Sequence, residues 1–280
     1  MLRQSLITRM TISRFWFLKK RISAWKNVGD YISRIDPFKR LITAHVSNRV
    51  TAYDLLGNKK WLSINAIQSG HSKDSIPFMV RSILGNCKNN IPLVNMEPWY
   101  EGILGNFKDY EQRIAFWMCV LSGAKGYSYG AHGIWQMSKK GENFMGHWGN
   151  SYWKGSLEFK GAEQLGLAKK FLEKFEWWKL EPCFERIKPH WREENVYLPV
   201  AARIGEKYLF IYVPRVSPST SLRVKEIGVG GLNKKALYKA SYVSPKSMRT
   251  IDGFKFRGKE YIIPLRKGGT KDLLILISRI

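Results

Sequence analysis

Three short apolar runs, at residues 61–68, 91–95 and 126–129, alternate with stretches of helical apolar spacing at 75–84, 110–121 and 161–175. Alternating strands and helices form βα units, and βα units build a parallel sheet. A fourth run, 41–45, follows a helix predicted by the spacing of Ile22, Trp25, Val28, Ile32 and Ile35 and stopped at Asp36-Pro37. Residues 46–60 read as a loop. Polar and aromatic residues gather directly after each run, as His45, then at 68–71, 97–101 and 129–135. In a (β/α) barrel the site lies at those strand ends. A doubly wound sheet uses the same ends, but neither usual glycine-rich phosphate loop is present. The expected fold class is α/β, beginning with a TIM-type (β/α) barrel.

After Pro189 the pattern changes. Short strand candidates at 197–201, 208–214, 221–227, 237–242, 259–264 and 272–278 are separated by Gly, Pro, Asn and Ser. That spacing predicts a small antiparallel β-sandwich. The Trp distribution changes with it: nine of eleven Trp fall between Trp61 and Trp191, and none follows. The expected organisation is an unassigned basic leader at 1–20, a barrel-like part at 21–185 and a sandwich at 190–280.

The formal net charge of +25 would suit a nucleic acid or an anionic membrane. The cations are scattered, however, as in Lys59-Lys60 and Lys139-Lys140, with no long basic block and no zinc-finger or RNA-binding signature. Nucleic acid is therefore not the expected partner. Cys87, Cys119 and Cys183 are far apart, and the five His are dispersed without an HExxH pair. No metal, cofactor or disulfide framework is expected. No apolar run approaches the ~20 residues of a membrane span. Residues 1–29 lack Asp and Glu, which fits a transit peptide or an aberrant leader, and no clear secretion signal is legible.

Glycoside hydrolysis commonly uses two carboxyl groups across the scissile bond, with aromatic rings stacked on the sugar and amide, imidazole or phenol groups on its hydroxyls. Glu97 and Glu101 flank Trp99 and Tyr100 just past a strand, and Pro98 ends that strand. Glu97 is the catalytic candidate. An equally good account from periodicity alone is a strand-end carboxylate paired with a Lys or Arg. His71 and His132 fit a sugar wall, but a lone loop His more often caps or packs. Trp117 reads as core and Trp177-Trp178 as interdomain packing. Trp148 and Trp153 suit a lid or a surface aromatic patch.

Several of these stretches, taken in order, carry a resemblance. Val94-Asn95-Met96-Glu97-Pro98-Trp99-Tyr100-Glu101-Gly102 resembles the strand-seven motif N-G-E-P-x-Y-E-G of apiosidase-like glycoside hydrolases. Ile64-Asn65-Ala66-Ile67-Gln68-Ser69-Gly70-His71 resembles the preceding strand of that family. Arg113, Trp117, Ser122-Gly123-Ala124 and residues 126–136 resemble its next helix and strand. The β-rich tail is similar to a small domain attached to this barrel and named for collagen binding, with an echo of its turn at Tyr242-Val243-Ser244-Pro245-Lys246-Ser247. The resemblance runs from about Trp25 to the C-terminus.

It implies a retaining barrel glycosidase acting on polysaccharide side chains, with Glu97 as nucleophile. Substrate-binding candidates are Gln68, His71, Trp99, Tyr100, Glu101, Tyr129, His132 and Trp135. Met96 stands where the family has Gly, and Trp99 where it has a small residue or Cys, so the pocket is expected to be narrower or reshaped. The barrel-like sequence begins before what resembles strand five, whereas a full barrel alone takes ~250 residues. The acid/base carboxylate after strand four is expected to be missing. That leaves weak or no activity, or a carbohydrate-binding role, with association through open half-barrel edges, including as a homo-oligomer. Full-length relatives would be extracellular or periplasmic.

Overall fold

The computed structural model describes residues 2–280 except 48–49, 73, 143–147, 196, 215–223 and 266–270, with side chains from residue 19 onward. Part of the strand expected at 221–227 falls outside the described residues.

The chain opens with helix α1 (Leu2–Ile35), so the basic leader is continuous with the predicted helix. The expected amphipathic face is not buried: Trp25, Val28, Ile32 and Ile35 stay exposed. Contact is made instead by Ile22 and Gly29. A Cβ at Gly29 would lie 2.2 Å from the Trp61 ring, so only glycine lets the helix approach there. Residues 41–45 form no full strand, making a single parallel bridge, Ile42 to Leu62. Leu41, at the start of that segment, is exposed. Within the expected loop, Thr51 caps α2 (Ala52–Leu56) reciprocally with Asp54. Thr-x-x-Asp was the available signal for that helix.

Then come β1 (Asn65–Gln68), α3 (Ser75–Asn86), β2 (Leu93–Glu97), α4 (Asp109–Leu121) and β3 (Gly126–Tyr127). The three strands form a parallel sheet in the order β1-β2-β3. Helices α5 (Trp153–Ser156) and α6 (Lys160–Leu172) follow.

The antiparallel strands run from Glu181 onward. These are β4 (Glu181–Pro182), β5 (Ile187–Lys188), β6 (Val200–Ile204), β7 (Tyr208–Val213), β8 (Glu226–Val229), β9 (Leu237–Val243), β10 (Thr250–Arg257), β11 (Tyr261–Pro264) and β12 (Leu273–Arg279). They form one sheet in the order β10-β9-β12-β7-β6-β4 and a second in the order β11-β8-β5. Strand β10 is unforeseen in the sequence because Gly253 and charged residues break its apolar alternation.

The middle of the larger sheet, strands β6, β7 and β12, is buried on both faces. Leu209, Ile211, Val213, Leu273, Ile275 and Ile277 face the smaller sheet. Phe210, Tyr212 and Leu274 share a core with Trp117, Leu165 and Phe171. This explains the unbroken apolar runs of β7 and β12, because a strand buried on both faces has no solvent side. A buried ion pair joins the layers. Arg113 on α4 donates through Nε and Nη2 to Asp272 at 2.8 and 2.9 Å, and Tyr212 donates to the same carboxylate at 3.0 Å.

Candidate active site

A bulge in the parallel pairing creates the centre of the site. Ile67 opposes Asn95, but the next residue, Gln68, opposes Glu97, so Met96 is skipped. Bulges re-aim side chains. Here the bulge sets Gln68 beside Glu97, while Met96 packs toward the apolar group around Trp61 and Leu62. The amides of Ser69 and Gly70 both reach the Glu97 carbonyl, at 3.0 and 3.4 Å. Gly70 has φ +89°, which turns the chain so that His71 faces the strand end.

The Glu97 carboxylate is held on both oxygens. Gln68 Nε2 donates to Oε1 at 2.6 Å and His71 Nε2 lies 3.0 Å from the same atom. His45 Nε2 lies 3.1 Å from Oε2. The His71 hydrogen bond is the main reason the carboxyl is held below its ordinary value of 4.5, with further lowering by the His71 and His45 charges and by Gln68, against partial burial. Glu97 is thus kept ionised, the state a nucleophile or base needs and a proton donor does not.

A depressed carboxyl contributes stability above pH 4.5 that is lost as pH falls through the lower folded value. In ¹³C-glutamate NMR titration, Glu97 should protonate below 4.5, and His71→Ala should move that midpoint upward. A midpoint unchanged by His71→Ala would contradict the assigned cause.

Tyr100 walls the other side of His71, with ring centroids 4.7 Å apart. Burial, then the Glu97 charge, pushes its phenol up to about 12, so it stays neutral. A Cβ at Gly130 would lie 2.1 Å from the Tyr100 ring, so that glycine makes room for it. Trp148 meets His71 edge-on at 6.0 Å. Residues 143–147, next to Trp148, lie outside the described residues.

The remaining candidates sit elsewhere. Glu101 is buried; its Oε2 accepts the Tyr129 hydroxyl at 2.7 Å and the Gly161 amide at 2.9 Å, at the start of α6. Burial raises its pKa, partly offset by those two bonds. A carboxylate is well placed at a helix N-terminus, so Glu101 and Tyr129 tie the third strand end to α6. His132 is fully buried, with Nε2 3.0 Å from the Gly149 carbonyl and Nδ1 2.9 Å from Gln136 Nε2. Trp99 is buried too, stacked on Phe107 at 4.5 Å and donating to the Ser72 carbonyl. Trp135 lies half-exposed in a turn. The structure therefore gathers Gln68, His71 and Tyr100 around Glu97 and places Trp99, Glu101, Tyr129, His132 and Trp135 outside that first ring of contacts. His45 completes the ring, although the sequence marks it only as a strand-end residue.

Among the described residues no group of His, Cys, Asp and Glu is arranged to hold a metal, and no helix is long and apolar enough to cross a membrane. No curated protein matches the sequence significantly. Two solved structures share the fold. One, described as a glycoside hydrolase family 5 protein from Bacteroides vulgatus, superposes with a TM-score of 0.77 at 20% identity, over 91% of this chain and 58% of that one. Another, described as a glycoside hydrolase, gives 0.73 at 22% identity, over 91% and 60%. The chain thus spans less than two thirds of either. The family described as apiosidase-like, catalytic domain, matches residues 10–179, well over half of the sequence. With that span and its mixed α/β fold, the chain is glycoside hydrolase-like and belongs to the apiosidase-like family.

Proposed function

We propose that the chain carries the nucleophile side of a retaining glycosidase site that acts on polysaccharide side chains, with Glu97 attacking the anomeric carbon. The observation behind this reading is the Glu97 carboxylate at a strand end, kept ionised by His71, His45 and Gln68. In the first step Glu97 displaces the leaving group and forms a glycosyl ester; water then hydrolyses it. Gln68, His71 and His45 orient the carboxylate, and with Tyr100 beside His71 they are available to meet sugar hydroxyls. Glu101, Tyr129 and His132 act as positioning residues, while Trp99 supports the Tyr100 segment from the core.

The groups acting on Glu97 are imidazoles and an amide. The other nearby candidate, Glu101, is already engaged by Tyr129 and Gly161. We therefore place the acid/base carboxylate outside this chain, in a preceding part of a (β/α) barrel. Loss of general acid help costs ~10²–10⁴-fold, and a good leaving group removes the need for it. Dinitrophenyl glycosides should be cleaved measurably and alkyl glycosides should not. Equal rates on both would place a working acid in this chain and overturn that part of the proposal.

A second reading is a carbohydrate-binding protein that completes its barrel by association, as a homo-oligomer or with another chain. It is favoured by the exposed Trp25, Val28, Ile32 and Ile35 and by a groove of about 570 Å³ between α1 and residues 42–46. Light scattering that returned a monomer at all concentrations, with no Trp fluorescence response to a glycan panel, would remove it.

A further inference from the structure

Two lysines stand directly opposite each other on one face of the six-stranded sheet. Lys255 of β10 pairs with Lys239 of β9, and both are exposed. Tyr238, Ala240, Tyr242, Phe254 and Phe256 turn toward the smaller sheet, so strand alternation puts the lysines on the other face. The neighbour of Lys239 on β12 is Ser278, and beyond it on β7 is Tyr208. Read across the strands, the row is cation, cation, hydroxyl, aromatic.

The adjacent row is bare at Gly253, which opposes Ser241. A Cβ there would lie 2.6 Å from the Ala240 carbonyl oxygen, so the backbone itself demands glycine. An open hollow of about 380 Å³ results, lined by Lys239, Thr250, Asp252, Gly253 and Lys255 among others. Asp252 is the carboxylate of that lining, and it accepts the Gly253 amide at 2.7 Å.

Like charges directly opposite on neighbouring strands are unfavourable. Among the described residues, neither Lys239 nor Lys255 joins an ion pair. The arrangement gains from an external anion that meets both ammonium groups at once. We propose that this hollow is an accessory site for an acidic polysaccharide, with Lys239 and Lys255 taking carboxylates of its uronic acid units. The choice of a glycan among polyanions rests on the glycosidase-like reading of the chain. The site itself is separate from Glu97.

Affinity electrophoresis of the full chain tests this, with polygalacturonate or a neutral glucan in the gel. Polygalacturonate should retard the chain, and added salt should weaken the effect because exposed charges are screened. The neutral glucan should not retard it. The Lys239→Ala/Lys255→Ala variant should lose about fivefold to tenfold in affinity, within the scale of two exposed charge contacts. Lys88→Ala/Lys170→Ala removes the same charge from exposed positions elsewhere and should change affinity less than about twofold. Circular dichroism checks that both variants fold. Absence of retardation, equal loss in the two variants, or equally strong retardation by duplex DNA would overturn the proposal. Glu97→Gln should bind like the unmodified chain, so a failed glycosidase assay and a failed binding assay remain distinguishable.

Discussion

Replacing Asp272 by alanine is expected to destabilise the chain by about 3–5 kcal/mol, the cost of breaking one partner out of a buried ion pair. Asp272 is fully buried and Arg113 is 1% exposed. The guanidinium also donates to Asp109 at 2.9 Å, and that carboxylate remains after the substitution. It cannot replace the bidentate contact, because Asp109 lies one turn away on α4 and meets only Nη1. The consequence reaches beyond one contact: Asp272 immediately precedes β12, the strand between β9 and β7, while Arg113 lies on α4, which packs against both that sheet and the parallel one. Urea denaturation measures the effect. A loss below about 1 kcal/mol would show that the pair does not hold the layers together. Replacing both partners, as Arg113→Met/Asp272→Leu, should cost much less than Asp272→Ala, because no charge is left buried alone.

The other large effect is expected at Glu97. On a dinitrophenyl glycoside, Glu97→Gln should lower kcat on the order of 10⁴-fold or more, the scale seen when a nucleophile is removed. Glutamine keeps the shape but cannot attack. The competing account makes Glu97 an anchor that ties His45, Gln68 and His71 to the strand end. Under that account Glu97→Gln lowers stability and leaves any turnover in place. Kinetics and denaturation on the same variant therefore separate the two.

Much of this site is written locally in the sequence. Gln68, His71 and Glu97 stand within a few residues of the ends of two apolar runs, and neighbouring parallel strands bring such ends together. What periodicity could not supply was the pairing detail. The bulge opposite Met96 decides that Gln68 meets Glu97, and no residue type announces it. His45 was harder to read, since its run makes only one bridge and reaches Glu97 through the fold. Periodicity also cannot tell an exposed strand-end polar group from a buried one. Glu101 and His132 sit in motifs of the same character as Glu97, yet a helix start and a loop carbonyl take up their polar atoms.

The same limit shows in the fold. The spacing in α1 predicts the helix, but its apolar residues stay exposed, and the helix touches its neighbour through Ile22 and Gly29 instead. In the tail, the continuous apolar character of β7 and β12 was a sign of a sheet covered on both faces, whereas a two-sheet sandwich alone would bury only one.

Covalent trapping tests the central claim most directly. The chain would be incubated with a panel of 2-deoxy-2-fluoro glycosyl dinitrophenolates, which need no acid to leave and form slowly hydrolysed esters. Peptide mass spectrometry should find the added sugar on Glu97, with no label on the Glu97→Gln variant. A sugar attached to any other residue, or turnover that proceeds unchanged in Glu97→Gln, would contradict the account.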